Sequence, residues 1–150
     1  AKDLRLITTV LKITTDLERI GDMAVNICER VEELNSEAQL APYIDIPQMA
    51  DIAQKMVRDS LNAVVQEDVE LALEICRTDE IIDKYIEKLF PEVLSYMTKD
   101  PDTTQRCIRV LFVAKYIERI ADHATNIAEM IVFMVKGKSI RHLDTVPPSI

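Results

Sequence analysis

Glycine and aromatic residues are scarce in this sequence of 150 residues, which has two glycines, no tryptophan and an aromatic content of 5%. So little glycine disfavours a turn-rich β fold and leaves no glycine-rich loop that could bind phosphate. The P-loop, GxGxxG, GxSxG and HExxH motifs are also missing from the sequence. We therefore expect a helical protein that is not an enzyme.

Basic residues are also fewer than acidic ones: the sequence has 18 Lys and Arg, 26 Asp and Glu, and a formal net charge of −8. Because such a surface repels phosphodiester backbones, we expect no nucleic-acid partner. No apolar run approaches the roughly 18 residues of a membrane span, and no signal peptide is recognisable. These absences predict a cytoplasmic protein.

Cysteine is limited to three widely spaced residues without a CxxC pair, which disfavours disulfides and a zinc ribbon. We expect these thiols to be reduced and to serve as small core residues. They are Cys28, Cys76 and Cys107.

Apolar residues recur with helical spacing along almost the whole chain, and this pattern predicts an all-α, antiparallel helical bundle. The four expected helices run from about residue 2 to 35, 48 to 66, 68 to 97 and 102 to 135. Pro91 is expected to kink or split the third helix. Asp68 is expected to mark the start of the third helix, Asp100 or Asp102 to cap the segment that follows it, and Gly137 to end the fourth helix.

The first and last predicted helices match when the sequence is shifted by 100 residues. Residues 17–22 (LERIGD) align with residues 117–122 (IERIAD), and the agreement includes polar positions. Internal duplication is the simplest explanation. The predicted apolar seam of the first helix consists of Leu17, Gly21, Ala24, Cys28 and Val31.

Each copy carries a polar stripe opposite that seam, because Glu, Asp and Asn at steps of four lie within about 80° on a helix. Carboxylates at i and i+4 can share a cation, and Asp79 and Asp83 supply a further such pair in the third helix. The alternative is an ordinary solvated face. His123 is open to either reading, as a ligand or as a packing residue. The stripe residues are Glu18, Asp22 and Asn26 in the first copy and Glu118, Asp122 and Asn126 in the second.

Both copies, together with the segments 67–72 (EDVELA) and 79–83 (DEIID), resemble the PhoU family of phosphate uptake regulators over residues 3–141. The resemblance implies two three-helix repeats. Residues 1–36 would be the last helix of the first repeat, 37–47 a linker, 48–137 a complete second repeat and 138–150 a tail. Since two helices of the first repeat lack a counterpart, we expect the chain to be a fragment.

The resemblance also implies a function. PhoU proteins are cytoplasmic regulators, peripheral to the membrane, that restrain the phosphate ABC transporter and keep its sensor histidine kinase quiet when phosphate is plentiful. Some bind multinuclear iron or zinc clusters through acidic motifs on their surface. Carried over, the metal ligands would be Glu118, Asp122, Asn126, Asp79 and Asp83, with Glu18, Asp22 and Asn26 as the counterparts in the other repeat.

Two other readings stay open. A ferritin-like di-iron enzyme also uses carboxylates on bundled helices, but it needs inward-facing Glu-x-x-His motifs, and this sequence has none. A purely structural helical interaction module needs no metal at all. The sequence does not identify the metal or the partner-binding faces, and it leaves open whether the chain forms a homodimer.

Overall fold

The computed structural model describes residues 2–38, 40 and 45–140, and within these ranges the chain is helical and has no β-strand. The all-α prediction is therefore confirmed. The helices are α1 (Lys2–Asn35), α2 (Asp45–Gln66), α3 (Val69–Lys99) and α4 (Thr104–Lys136), with a 3₁₀ turn at Pro101–Thr103 before α4.

Local sequence signals explain most of the helix ends. Asp68 caps α3 by accepting a hydrogen bond of 3.0 Å from the backbone N–H of Leu71. Asp100 likewise accepts from Asp102 at the start of the 3₁₀ turn. Gly137 ends α4 in the left-handed conformation, with φ of 69°. These three predicted boundary residues are confirmed.

The prolines disturb the helices less than their positions in the sequence suggested. α2 begins at Asp45, so Pro47 lies in the first turn, where the missing N–H has no intrahelical partner. α3 is one continuous helix through Pro91 and is not split there. Pro91 has no N–H to donate to the carbonyl of Glu87, which therefore loses its usual hydrogen bond. Both residues are exposed, so water can solvate that carbonyl.

The helices form an antiparallel bundle around α4. α4 packs against each of the other three helices, and α2 packs against α3. Within the described residues, α1 makes no comparable contact with α2 or α3. α4 can sit at the centre because alanines recur along it, and Ala121, Ala124 and Ala128 are completely buried.

α1 is held along α4 by ion pairs near its C-terminal end. Arg109 Nε lies 3.0 Å from Glu33 Oε2, and its terminal nitrogen lies 2.5 Å from Glu37 Oε1. Arg106 donates to the carbonyl of Ala38 at 2.6 Å. These contacts fix the C-terminal end of α1 beside the N-terminal end of α4, so the two helices run antiparallel.

The predicted seam of α1 is wrong in most of its positions. Only Leu17 packs against the core, whereas Gly21, Ala24, Cys28 and Val31 are exposed. α1 instead turns Thr9, Ile13, Ile20, Ile27 and Leu34 towards α4. The equivalent seam of α4, including Ile117, Ala121 and Ala124, is buried because α2 and α3 cover it.

The core prediction for the cysteines holds for two of them: Cys76 and Cys107 are buried and Cys28 is exposed. The predicted tail at 138–150 lies mostly outside the described residues, as do parts of the predicted linker at 37–47. No helix among the described residues is long and apolar enough to cross a membrane.

Candidate functional site

Four carboxylates lie together where α3 packs on α4, and we call them the acidic cluster: Asp79, Asp83, Glu118 and Asp122. Each helix contributes a pair spaced by four residues, so both members of a pair lie on one face. Because α3 and α4 are antiparallel, Asp79 is brought beside Asp122 and Asp83 beside Glu118. The structure thus assembles the four second-repeat carboxylates that the sequence singled out.

Asp79 shows the strongest effect of this assembly. Its pKa is raised to about 6, chiefly because the neighbouring helix buries it and then because of the negative charges of Asp122 and Asp83. The hydroxyl of Thr125 opposes this shift by stabilising the charged form. At neutral pH, Asp79 therefore holds a negative charge that its surroundings disfavour.

Asp122 and Asp83 are affected in the same way. Partial burial is the largest cause that raises the pKa of Asp122, followed by Glu118 and Asp83. The pKa of Asp83 is raised by partial burial, then by Glu118 and Glu87. Both residues are exposed on their outer side, so the packed helix removes water from one side only.

Lys115 is the cation that partly offsets this charge. It forms an ion pair with Glu118 one turn away on α4, and it lowers the pKa of Asp122 and of Asp83. Four carboxylates beside one paired ammonium leave a local excess of negative charge. Such an excess favours binding of a cation with oxygen ligands.

Asn126, another predicted ligand, lines a different feature. It borders a cavity of about 420 Å³ between α1 and α4, together with Lys12, Asp16 and Glu129. His123 is engaged on the same side, because its Nδ1 lies 2.7 Å from Asp16 Oδ1. Sequence reasoning missed Asp16, which is 107 residues away from His123 and belongs to neither copy of the stripe.

The first-copy residues do not form a comparable group. Glu18 and Asp22 are exposed, and Asn26 is half-buried. Asp22 lies 3.7 Å from Arg19, a neighbour on the same helix. No helix in the described part of the chain faces this stripe with further carboxylates.

The carboxylates of the acidic cluster are suitable metal ligands, but they lie too far apart for three of them to share one ion. Among residues 2–38, 40 and 45–140, no three His, Cys, Asp or Glu side chains converge closely enough to hold an ion as they stand. Iron and zinc both accept carboxylate ligands. Side-chain rotation would therefore have to bring the carboxylates of the two helices onto a shared ion.

The chain is similar to a known family over most of its length. The PhoU domain model matches residues 1–31 and 46–131. A relative from Clostridium acetobutylicum, named a phosphate-specific transport system accessory protein PhoU homolog, is 38% identical over 93% of this chain and 64% of its own length. A relative of the same name from Caulobacter vibrioides is 40% identical over 93% of this chain and 61% of its own length. This chain thus spans less than two thirds of these relatives.

Solved structures agree with this assignment. The crystal structure of PhoU from Pseudomonas aeruginosa is 35% identical and superimposes with a TM-score of 0.89 over 92% of this chain and 66% of the other. The phosphate transport system regulatory protein PhoU from Streptococcus pneumoniae is 30% identical, with a TM-score of 0.85 over 93% of this chain and 66% of its own. Both sequence and fold are therefore shared with these proteins.

Proposed function

Because this chain belongs to the PhoU family, we propose that it regulates phosphate uptake and phosphate-responsive signalling as a helical scaffold. In this proposal it works in the cytoplasm between the phosphate ABC transporter and the sensor histidine kinase, and it reaches the membrane only through them. The relatives named as accessory proteins of the phosphate-specific transport system support the transporter side. The proposed link to the kinase rests on the family resemblance alone.

We further propose that the acidic cluster holds iron or zinc. The observation that carries this proposal is the meeting of Asp79 and Asp83 on α3 with Glu118 and Asp122 on α4. The raised pKa of three of these carboxylates agrees with it. Uncompensated carboxylates cost folding free energy, and a bound cation would recover it. The chemistry that the metal supplies here is charge neutralisation and cross-linking of α3 to α4.

A scaffold fits this position better than a ferritin-like oxidase does. Oxidases of that class place their carboxylates in the bundle core. Here the core around α4 is built from apolar residues such as Ile127 and Ile131, whereas Asp83 and Asp122 are exposed. The acidic cluster therefore opens to the surface through these two residues, where a partner protein can reach it.

The metal proposal is tested by element-resolved metal content of protein purified from metal-replete cells without chelators. The variant is Glu118→Gln/Asp122→Asn, which removes the α4 half of the acidic cluster. The matched control is Glu18→Gln/Asp22→Asn, which makes the same chemical change in the first copy, where no second pair of carboxylates faces the stripe.

We expect iron or zinc in stoichiometric amounts in the wild type and in the control, and its loss from the α4 variant. Metal that is absent from all three proteins contradicts the metal site. Equal loss from the variant and the control means that the two stripes bind metal alike, which contradicts the assignment to the α3–α4 cluster.

The regulatory role is tested separately in cells that lack the full-length gene. A reporter driven by a phosphate-responsive promoter should become active in phosphate-replete medium, because the restraint on the kinase is lost. Complementation with the full gene should restore repression. A reporter that stays repressed in the deletion strain contradicts the signalling role, whatever the metal content proves to be.

A further inference from the structure

An apolar patch lies next to the acidic cluster near the end of the bundle formed by the turn between α3 and α4. It consists of Phe90 and Leu94 on α3 and Ile108 on α4, which are 56%, 52% and 42% exposed. Their neighbours Leu89, Val93 and Cys107 are buried in the core. The patch thus borders the helix interface but faces solvent.

On α3, the patch and the acidic residues follow one another along a single line. Asp79, Asp83 and Glu87 are spaced by four residues, and Phe90 and Leu94 continue at steps of three and four. At 100° per residue these five positions fall within about 80° of one another. The line is about 23 Å long at 1.5 Å per residue, with acids over its first two turns and apolar residues over its last turn.

α4 repeats this division beside α3. Asp79 meets Asp122 and Asp83 meets Glu118, and this register brings Leu94 level with Cys107 and Ile108. The short turn at Pro101–Thr103 requires the same register. Apart from Lys115, which pairs with Glu118, acidic residues therefore lie beside acidic residues, and apolar residues beside apolar ones, along the α3–α4 face.

We infer that this face binds an amphipathic helix of a partner protein, with apolar side chains at one end and Lys or Arg side chains two to three turns away. The apolar end would cover Phe90, Leu94 and Ile108, and the basic end would meet the acidic cluster when no metal occupies it. A helix matches a straight surface of this length, because its side chains at i, i+4, i+7 and i+11 lie along one line. The inference supplies the chemistry of a partner for the scaffold proposed above and rests on that proposal for its biological setting.

Charge decides against three other occupants. An anionic membrane surface or a nucleic acid would be repelled by the same carboxylates that attract a basic helix. An acidic helix would also be rejected, because like charges across an interface cost binding free energy. A segment with both apolar and basic side chains matches the apolar patch and the acidic cluster together.

The probe is a fluorescein-labelled 18-residue peptide of alanine-rich helical sequence. It carries Leu at two positions spaced by four and Lys at positions 8, 11 and 15 residues after the first Leu. The matched probe carries Glu in place of each Lys. Fluorescence anisotropy is measured with the whole chain in low-salt buffer containing EDTA, so that metal does not occupy the acidic cluster.

We expect the Lys peptide to bind at least about tenfold more tightly than the Glu peptide, and salt to weaken its binding. Phe90→Ser/Leu94→Ser and Glu118→Gln/Asp122→Asn should each weaken it by about tenfold or more. Val65→Ser should leave the affinity unchanged, because Val65 is 84% exposed near the end of α2 and lies outside this face. Circular dichroism of each variant shows whether it is folded.

Equal affinity for the two peptides overturns the inference, and so does binding that folded Phe90→Ser/Leu94→Ser protein retains. Sedimentation that reveals a dimer dissociated by Phe90→Ser/Leu94→Ser also overturns it, because a second copy then covers the patch. The peptide measurement excludes metal and uses no reporter, so its failure leaves the metal and regulatory tests standing.

Discussion

Asp16 of α1 and His123 of α4 are joined by a contact of 2.7 Å between Oδ1 and Nδ1, with both side chains largely buried. The two residues are 107 positions apart in the sequence. The shift of 100 residues relates His123 to Met23 and Asp16 to Tyr116, so the contact has no counterpart by internal symmetry. It is a specific link in the α1–α4 interface rather than an inherited feature of the repeat.

We therefore expect Asp16→Asn and His123→Gln each to lower the free energy of unfolding by about 1 kcal/mol, because each removes a partly buried, charge-assisted hydrogen bond. Urea unfolding of the two single variants and the double variant gives the coupling energy. A favourable coupling of about 1 kcal/mol is expected at pH 7. Strictly additive single effects would show that the contact contributes nothing.

The acidic cluster predicts an unusual dependence of stability on pH. Asp79 has a pKa of about 6 in the folded state and 3.8 as its ordinary value, so the folded protein takes up this proton first as pH falls. Stability contributed by this group therefore rises on acidification from pH 7 towards pH 4, and it is lost again as pH rises through 6.

In metal-free buffer, Asp79→Asn should accordingly be more stable than the wild type at pH 7.5, and the difference should shrink as pH approaches 4. Chemical denaturation at several pH values measures it. Asp22→Asn on the exposed face of α1 is the matched control and should follow the wild-type profile. An Asp79→Asn protein that is less stable than the wild type at pH 7.5 would contradict the prediction.

Replacing each of the two glycines by alanine should change the stability in opposite directions. Gly137 has φ of 69°, and a Cβ there would lie 2.9 Å from a terminal nitrogen of Arg5, so Gly137→Ala should cost about 1 kcal/mol through backbone strain. Gly21 lies inside α1 with open space around it, so Gly21→Ala should stabilise by about 0.5–1 kcal/mol. Thermal unfolding of both variants provides the comparison. Destabilisation by Gly21→Ala would mean that its backbone is held more closely than the open space indicates.

Arg109 should be the main ionic contact that holds the C-terminal end of α1. Arg109→Met removes its pairs with Glu33 and Glu37 and should lower stability by about 1 kcal/mol. Amide hydrogen exchange should increase in the last turns of α1 and stay unchanged in α3. Lys55→Met breaks an exposed pair within α2 and should change stability by less than about 0.5 kcal/mol. Equal effects of the two substitutions would show that the Arg109 contacts act as an ordinary surface pair.

The sequence predicted what depends on nearby residues. Helix ends at Asp68, Asp100 and Gly137 follow from capping chemistry within a few positions, and the structure confirms them. The structure brings together the four second-repeat carboxylates that the family resemblance singled out, whereas metal binding by them stays a prediction.

The face of α1 that packs on α4 could not be predicted from periodicity. A helical pattern identifies apolar residues, but the neighbouring helices decide which of them are buried. Leu17 and Ile20 pack against α4, whereas Ala24 and Cys28 are exposed although their counterparts in α4 are completely buried. The contact between Asp16 and His123 was missed for the same reason, because it depends on the register between two distant helices.

The central position of α4 also determines the order in which the helices should detach under a pulling force. α2, α3 and α4 all contact one another, whereas α1 is attached to α4 alone within the described residues. A pulling force applied between the start of α1 and the end of α4 therefore acts first on a single seam of side chains. In optical-tweezers experiments α1 should detach at a lower force than the rest, and the other three helices should rupture together in a later step.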